Sequence, residues 1–314
     1  MKRAIVCGAS GLLGAQMVRR LKAEKYHVTG LSRTKPKYWP SEADDYWTCD
    51  LRESHVSMFA KVDEVYNFAC EVGGLGFLLD HANDVAMLKN STEIDMQVLE
   101  ACCIQKVPKL FFASSACVYN TPGKRFYTES DAYPANCANE FAWQKLYAER
   151  LYQAYARYHG IDVKIGRLFN TYGPGMTWTG GREKSVAALC RKIAEAQDGG
   201  VIEVWGSGEQ TRSYTYVDDA VEGIWRLMRS EVNEPLNIGP AYETTIRDLI
   251  KAISGVAGKK VFCKFGDGPV GVSKICSDNT MIRRALGWEP KVTIEQGLET
   301  AYPWVEKQVL TAST

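Results

Sequence analysis

The sequence predicts an α/β protein: a doubly wound parallel sheet with helices on both faces, and a smaller mixed C-terminal lobe. Short apolar runs alternate with stretches of helical period through the first half of the 314-residue chain, which is the pattern of a parallel sheet and its covering helices. A Gly-rich turn directly follows the first apolar run. After Gly173 and Pro174 the sequence changes to short elements with many turn residues, which we expect to lie over the carboxyl edge of the sheet.

The predicted elements alternate between strand and helix along the chain. Strands are expected at residues 4–7, 28–32, 64–69, 110–113 and 163–168. Helices are expected at residues 12–23, 82–105, 141–158 and 295–309.

Composition excludes several classes of function. The net charge is +1, with acids and bases interspersed, so no basic surface for nucleic acid is expected. The apolar runs are too short to span a bilayer, and the N-terminus has no signal-peptide pattern. Ten cysteines without CxxC pairs indicate reduced thiols in a cytoplasmic protein. Four isolated histidines argue against a metal site.

The Gly-rich turn, residues 8–14 (GASGLLG), joins the first strand to the first helix. Gly8 permits the tight turn, Gly11 lets the backbone approach a pyrophosphate, and Gly14 lets the helix pack closely on the sheet. The helix N-terminus offers free N–H groups to the phosphates. In this strand–turn–helix context the motif predicts a Rossmann dinucleotide site. Its predicted contacts are Gly8, Ser10, Gly11, Leu12, Leu13, Gly14, Phe68 and Ala69.

This prediction divides the chain into two parts. Residues 1–170 are expected to form the dinucleotide-binding domain, and residues 171–314 a substrate-binding lobe. Segments around 213–238 are expected to return to the first domain.

The end of the second strand bears on which dinucleotide is bound. A carboxylate is expected there to hold the adenosine ribose, but the chain has Ser32, Arg33 and Lys35. A hydroxyl and two cations suit a 2′-phosphate, so both NADP and NAD stay open as the cofactor. Alternatively, the two cations are only solvated loop charges. Asp50 and Leu51, after the next short strand, are placed at the adenine.

The candidate catalytic residues lie at the end of the 110–113 strand and at the start of the 141–158 helix. Ser114 and Ser115 end the strand, and Cys117 follows. Phe141 and Lys145, four residues apart, share one face of the helix.

With these residues the chain resembles the extended short-chain dehydrogenase/reductases that modify sugar nucleotides, and more narrowly the GDP-mannose 3,5-epimerase group. The resemblance covers essentially the whole length. Four segments carry it: residues 71–77 (EVGGLGF), 114–119 (SSACVY), 180–184 (GGREK) with the Lys192 helix behind it, and 205–214 (WGSGEQTRSY).

The resemblance implies a cycle in which hydride leaves sugar C4 for a bound, recycled NAD or NADP, C3 and C5 epimerise through enolates, and hydride returns. Lys145 would bind the nicotinamide ribose and favour loss of the proton from the acid/base at position 141. Ser115 would bind the reacting sugar oxygen. Epimerisation needs a base on one face of the ring and an acid on the other, and the matching pair is Cys117 and Lys184. Further substrate contacts are implied at Gly73, Gly74, Asn170, Lys192, Gln210 and Arg212.

Phe141 departs from the pattern, because the family has a tyrosine there as the acid/base of the hydride step. A ring without a hydroxyl cannot take the proton of a sugar alcohol. Two interpretations stay open. The chain is a deliberate tyrosine-to-phenylalanine variant that holds substrate without turning it over, which we favour, or a natural departure in which Ser115 or water handles the proton. Ile275 is a second departure: the family has an arginine there, for which Lys274 or Lys264 would compensate.

Other functions fit less well. A 4,6-dehydratase needs an Asp-Glu pair where the chain has Ala116 and Cys117. A GDP-fucose-synthase-like epimerase/reductase needs a histidine after Pro174, and none follows His159. A 4-epimerase of another nucleotide-linked hexose or heptose, in which Cys117 and Lys184 would be bystanders, stays open. A regulatory protein that senses a dinucleotide is the non-enzyme alternative.

The two long helices, residues 82–105 and 141–158, predict a homodimer. The second is apolar or aromatic over a broad face, at Leu146, Tyr147, Leu151, Tyr152 and Tyr155. Related enzymes pair these helices into a four-helix bundle. Alternatively, the two are deeply buried core helices.

Overall fold

The computed structural model describes residues 1–312. Thirteen strands lie within this range: β1 (Arg3–Cys7), β2 (His27–Ser32), β3 (Asp45–Thr48), β4 (Glu64–Asn67), β5 (Lys109–Ser115), β6 (Phe126–Tyr127), β7 (Asp162–Leu168), β8 (Val201–Trp205), β9 (Thr211–Arg212), β10 (Leu236–Ile238), β11 (Thr244–Thr245), β12 (Phe262–Gly266) and β13 (Lys274–Ser277). Nine α-helices accompany them: α1 (Leu12–Ala23), α2 (Leu75–Leu78), α3 (Ser91–Gln105), α4 (Glu140–His159), α5 (Ser185–Glu195), α6 (Val217–Leu227), α7 (Ile246–Ala257), α8 (Thr280–Leu286) and α9 (Ile294–Ala312).

Seven strands form one sheet in the order β10-β7-β5-β4-β1-β2-β3. Every neighbouring pair is parallel. The strand order reverses between β1 and β4, and in such sheets ligands bind outside the carboxyl ends at the reversal. The predicted α/β class is therefore confirmed.

Both faces of this sheet are covered. On one face β1, β4 and β5 pack under α3 and α4. On the other face, residues of α1 and α6 share a core with the same strands. The C-terminal elements α5, α7 and α9 enclose a separate core. Since β10 pairs with β7 and α6 packs beside α1, residues after 213 contribute to the large sheet and its cover; the boundary near residue 170 stays a prediction.

Local capping explains where the long helix α4 begins and ends. The Asn139 side chain accepts the Ala142 N–H at 3.0 Å, which satisfies one of the free donors of the first turn. At the other end Gly160 adopts φ 71°, the left-handed cap that glycine permits.

The predicted helix at 82–105 is wrong in its first part. A 3₁₀ turn (His81–Asn83) and a π-helical turn (Ala86–Asn90) precede α3. Short polar side chains explain the 3₁₀ turn, because they offer the backbone other partners. Asp80 accepts the Ala82 N–H at 3.0 Å, and Asn83 Nδ2 donates to the Phe77 carbonyl at 3.1 Å.

The predicted strand at 64–69 ends early for a similar reason. The Asn67 side chain accepts the Ala69 N–H at 3.1 Å, which turns the chain out of the sheet after β4. Within residues 1–312, no helix combines the length and the apolar composition that crossing a membrane requires.

Candidate active site

The Gly-rich turn is as tight as its sequence predicts. A Cβ on Gly14 would lie 2.2 Å from the Gly8 carbonyl oxygen, and a Cβ on Gly8 would lie 3.0 Å from the Ala69 amide nitrogen. These two positions therefore exclude a side chain. Gly11 is the N-cap of α1, and no side chain caps this helix end. The first turn of α1 thus offers its backbone N–H groups at a positive helix end, which fits a pyrophosphate.

The remaining predicted contacts surround this turn. Ser10 and Ser32 lie beside each other, with their hydroxyls 3.0 Å apart and Ser32 Oγ also accepting the Ser10 N–H. Phe68 packs on the Phe111 ring beside Ala69. Leu12 packs against the core of the C-terminal elements, and Leu13 packs against the core that α1 and α6 share with the sheet.

Two of the residues predicted at the adenosine end are already engaged. Asp50 accepts hydrogen bonds from the Arg52 guanidinium, and these bonds hold the pKa of Asp50 at about 2. Leu51 is buried in the core under α3. Neither observation tests a contact with adenine, so both residues stay predictions.

The catalytic candidates converge at the carboxyl end of β5. Ser115 Oγ accepts the Cys117 N–H at 3.2 Å, which fixes the tight turn between them. Lys145 Nζ donates to the Ala113 carbonyl at 3.0 Å. It lies 5.7 Å from the centre of the Phe141 ring, so the ring and the ammonium are neighbours, as their spacing predicts. Phe141 is 4% exposed and packs in a cluster that Cys117 contacts.

A buried ionic network beneath this site was not predicted from the sequence. Glu149 pairs with Arg167 at 2.7 Å, and both side chains are at most 3% exposed. Ser114 Oγ donates to the same Glu149 carboxylate, and Arg167 donates to the Tyr119 hydroxyl at 2.9 Å. The network clamps the end of β5 to α4, and so holds Ser115 near Lys145.

A second buried carboxylate lies on α3. Asp95 accepts hydrogen bonds from Asn67, Gln144 and Tyr152. Burial raises the pKa of Asp95 to about 6, although Lys145 opposes the shift. The sequence signal for Asp95 and Glu149 was an acidic residue on the apolar face of a helix.

The loop before α5 brings Lys184 to the segment after β4. Gly74 N–H donates to the Arg182 carbonyl at 3.0 Å. A Cβ on Gly74 would lie 2.0 Å from the Glu183 carbonyl oxygen, so this close approach requires glycine. The Phe77 side chain likewise occupies the space that a Cβ on Gly73 would need. Lys184 itself is exposed at the N-cap of α5.

Glu71 anchors this loop and was not predicted as a site residue. It is 5% exposed and accepts from Arg182 at 2.8 Å and from Arg33 at 2.9 Å. Burial raises its pKa, but the two arginines outweigh burial and hold the pKa of Glu71 below its usual value. Arg182 also lies 4.1 Å from the centre of the Phe77 ring, and Phe77 shares a cluster with Phe141.

The predicted diphosphate and nucleotide contacts donate to backbone carbonyls in this structure. Asn170 donates to Ser213, Lys192 to Glu203, and Gln210 to Trp205. Arg212 donates to the carbonyls of Thr211 and Ser273.

Ile275, the second departure from the family pattern, also lies in apolar surroundings. Ile275 pairs with Arg212 in the register of β13 and β9, and it is 7% exposed in a hydrophobic cluster. Of the cations proposed to compensate, Lys264 is highly exposed and pairs with Glu203, while Lys274 is partly exposed on β13.

No group of three or more His, Cys, Asp or Glu side chains in the described part of the chain could hold a metal ion.

Comparisons with known proteins identify the family of this chain. The sequence matches the NAD dependent epimerase/dehydratase family over residues 4–239. It is 36% identical to GDP-mannose 3,5-epimerase 1 of Oryza sativa subsp. indica, covering 98% of this chain and 82% of that protein. It is also 36% identical to GDP-mannose 3,5-epimerase of Arabidopsis thaliana, covering 97% of this chain and 82% of that protein. UDP-glucuronic acid decarboxylase 1 of Xenopus tropicalis is more distant, at 28% identity.

Solved structures share the fold over almost the whole chain. UDP-glucose 4-epimerase from Thermotoga maritima, solved with UDP-glucose, has a TM-score of 0.87 at 24% identity and covers 98% of this chain and 99% of its own. UDP-glucuronic acid 4-epimerase from Bacillus cereus, solved with UDP-glucuronic acid and NAD, has a TM-score of 0.84 at 23% identity with the same coverage. The predicted family is confirmed: the chain belongs to the NAD dependent epimerase/dehydratase family.

Proposed function

We propose that this protein is a nucleotide-sugar epimerase of the GDP-mannose 3,5-epimerase type, with Cys117 and Lys184 as its acid/base pair. The observation that carries the proposal is the approach of two distant segments. Cys117 contacts the cluster that contains Phe77 and Phe141. The Lys184 loop is hydrogen-bonded to Gly74, and its Arg182 lies 4.1 Å from the centre of the Phe77 ring. The plant relatives named above are GDP-mannose 3,5-epimerases by description.

The chemistry requires a carbonyl at sugar C4, because a proton on a saturated sugar carbon is too weakly acidic to remove directly. A C4 ketone acidifies the protons at C3 and C5. Cys117 removes a proton from one face and Lys184 supplies one to the other. Ser115 and Lys145 offer hydrogen-bond donors to the C4 oxygen, where the negative charge of the enolate develops.

The residues of the Gly-rich turn fit NAD or NADP, which when bound accepts or returns a hydride at C4. The N–H groups at the start of α1 would hold the pyrophosphate, which Gly11 lets approach the backbone, and Lys145 would bind the nicotinamide ribose. Arg33 is paired with the buried Glu71, so a 2′-phosphate would have to compete with that carboxylate. We therefore propose NAD as the preferred cofactor. Titration calorimetry tests this by comparing the dissociation constants of NAD and NADP.

The sugar-nucleotide contacts complete the proposal. Arg212 and Lys192 supply cations for the diphosphate, since a guanidinium matches phosphate geometry. Gly73, Gly74, Asn170 and Gln210 line the remaining substrate path. We propose that the enzyme works in the cytoplasm as a homodimer.

Deuterium uptake tests this function and separates it from a simple 4-epimerase. The Phe141→Tyr protein, given GDP-mannose in deuterium oxide, should incorporate deuterium at C3 and C5. A pure 4-epimerase exchanges no carbon-bound proton with solvent, so product without deuterium would contradict the proposal. Cys117→Ser and Lys184→Gln in the same background serve as controls that should lose the exchange.

A further inference from the structure

The surroundings of position 141 show what the missing hydroxyl removes. The Phe141 ring is 4% exposed and packs with Phe77, Leu78 and Met87, while Cys117 contacts the same cluster. The hydride step needs a base for the proton of the C4 alcohol, and a phenylalanine ring has none.

The neighbouring polar groups do not replace that base. Lys145 Nζ donates to the Ala113 carbonyl at 3.0 Å and lies 4.7 Å from the centre of the Phe112 ring, which is a position suited to a cation. Ser115 Oγ accepts the Cys117 N–H, and its own proton is free to be donated. Both groups are donors. Donors suit the oxygen of a ketone or an enolate, and not the removal of a proton from an alcohol.

The absence of a hydroxyl at position 141 does not affect the acid/base pair for the carbon-bound protons. The Ser115 side chain holds the Cys117 N–H, and the bond from the Gly74 N–H to the Arg182 carbonyl holds the loop that carries Lys184. The chain therefore retains the machinery for enolate chemistry and lacks the proton acceptor for alcohol oxidation.

We infer that this protein takes a nucleotide-linked sugar already oxidised to a ketone at C4, and epimerises the flanking carbons without hydride transfer. The inference rests on the Cys117 and Lys184 pair of the proposed function, and it follows from the second interpretation given above, in which Phe141 is a natural departure from the family. The substrate must come from an enzyme that oxidises the C4 alcohol, such as a nicotinamide-dependent 4-dehydrogenase or a 4,6-dehydratase. The product leaves as a ketone, for reduction or transamination by another enzyme.

The reaction balances without an oxidant. The Cys117 thiolate takes the proton from carbon, and the C–H electron pair moves to give a C4 enolate. The Lys184 ammonium returns a proton to the opposite face, and the ketone re-forms. Proton exchange with water then resets the thiol and the amine.

The test supplies two nucleotide-linked sugars to the unaltered protein in deuterium oxide, one with an alcohol at C4 and one with a ketone at C4. The probes are GDP-mannose and GDP-4-keto-6-deoxymannose, the second prepared by enzymatic 4,6-dehydration of the first. Nuclear magnetic resonance follows deuterium at C3 and C5, and absorbance follows reduced nicotinamide. We expect exchange into the ketone at least about a hundredfold faster than into the alcohol, the scale for a missing acid/base, with no reduced nicotinamide formed.

The outcomes separate the inference from the function on which it rests. Equal exchange rates for both probes overturn the inference, because the unaltered chain would then oxidise the alcohol itself. Exchange into GDP-mannose by Phe141→Tyr, with none into the ketone by the unaltered protein, also overturns it but leaves the proposed function standing. No exchange into either probe by either protein contradicts both. Loss of ketone exchange in Cys117→Ser and in Lys184→Gln supports the assignment of the pair.

Discussion

At the scale of single residues, one oxygen atom separates the two activities that this site could have. Phe141 keeps the ring and the packing of the position, and Lys145 remains beside it. The two interpretations of Phe141 therefore differ only in where the C4 carbonyl comes from.

Restoring the hydroxyl should restore alcohol chemistry. Phe141→Tyr is expected to raise turnover of GDP-mannose by about a hundredfold or more, the scale for a positioned acid/base. Steady-state product formation measures it, with transient reduced-nicotinamide absorbance as a second signal. The double variant Phe141→Tyr/Lys145→Met is the control and should return to the low rate. An unchanged rate in the single variant would mean that position 141 does not limit the hydride step.

Single residues also show what a sequence can reveal about a site. Ser115, Cys117, Phe141 and Lys145 were found together because each belongs to a short motif at the end of one element. Glu71 and Arg182 form an ion pair across 111 residues of sequence. Both lie in segments that carry the family resemblance, but nothing in those segments indicates that the two side chains meet. Only the fold brings them together.

At the scale of elements, the Lys184 loop depends on that ion pair. Glu71→Gln should weaken the bond that holds Arg182, and the loop then no longer fixes Lys184 over the substrate. We expect kcat for ketone epimerisation to fall by about tenfold while KM changes less, because misplacing a reacting group costs rate first. Isotope-exchange kinetics and the melting temperature are measured together.

Arg33→Gln is the matched control for the loop. It removes the other ion pair of Glu71 and leaves the contact with Arg182 in place. If both variants lower kcat equally, Glu71 acts through Arg33 and the adenosine end, and not through the loop. Because the pKa of Glu71 is lowered in the folded protein, both ion pairs hold above the ordinary carboxyl pKa and are lost as pH falls through the lowered value.

The strand end that holds Ser115 depends on the buried pair below it. Glu149→Gln leaves the Arg167 charge buried without its partner, and we expect a loss of about 3–5 kcal/mol in the free energy of unfolding. Urea denaturation measures it. Glu203→Ala removes the exposed pair with Lys264 and should cost less than about 1 kcal/mol. Similar losses in both variants would contradict the clamp.

Elements were predictable where local rules and packing agree. The helix predicted at 12–23 has the observed bounds of α1, because a Gly-rich turn fixes its start and the apolar stripe fixes its buried face. The predicted helix at 82–105 failed over its first nine residues, up to Asn90. Its apolar period continues there, but Asp80 accepts the Ala82 N–H and Asn83 donates to the Phe77 carbonyl, which favours the tighter 3₁₀ turn.

At the scale of the whole molecule, the predicted dimer face has to be redrawn. Leu146 and Tyr152 are buried in this chain's own cores, so they cannot meet a second copy. Exposed apolar side chains do remain on both long helices: on α3 Met96 and Ile104, and on α4 Trp143 and Tyr147, at exposures of 39%, 63%, 42% and 51%. The helix pair is thus neither fully buried nor uniformly polar.

We expect a second copy to cover these side chains, because Trp143 and Tyr147 lie one turn apart on one face of α4 and exposed apolar surface of this kind marks an interface. Placing a charge in such an interface leaves it desolvated and unpaired. Tyr147→Arg should therefore convert the dimer to a monomer, as measured by sedimentation velocity. Phe262→Arg replaces an aromatic residue of similar exposure, 52%, on β12 of the other lobe, and should leave the dimer intact. If the unaltered protein is a monomer, this contact does not exist. If Phe262→Arg alone dissociates the dimer, the contact lies elsewhere.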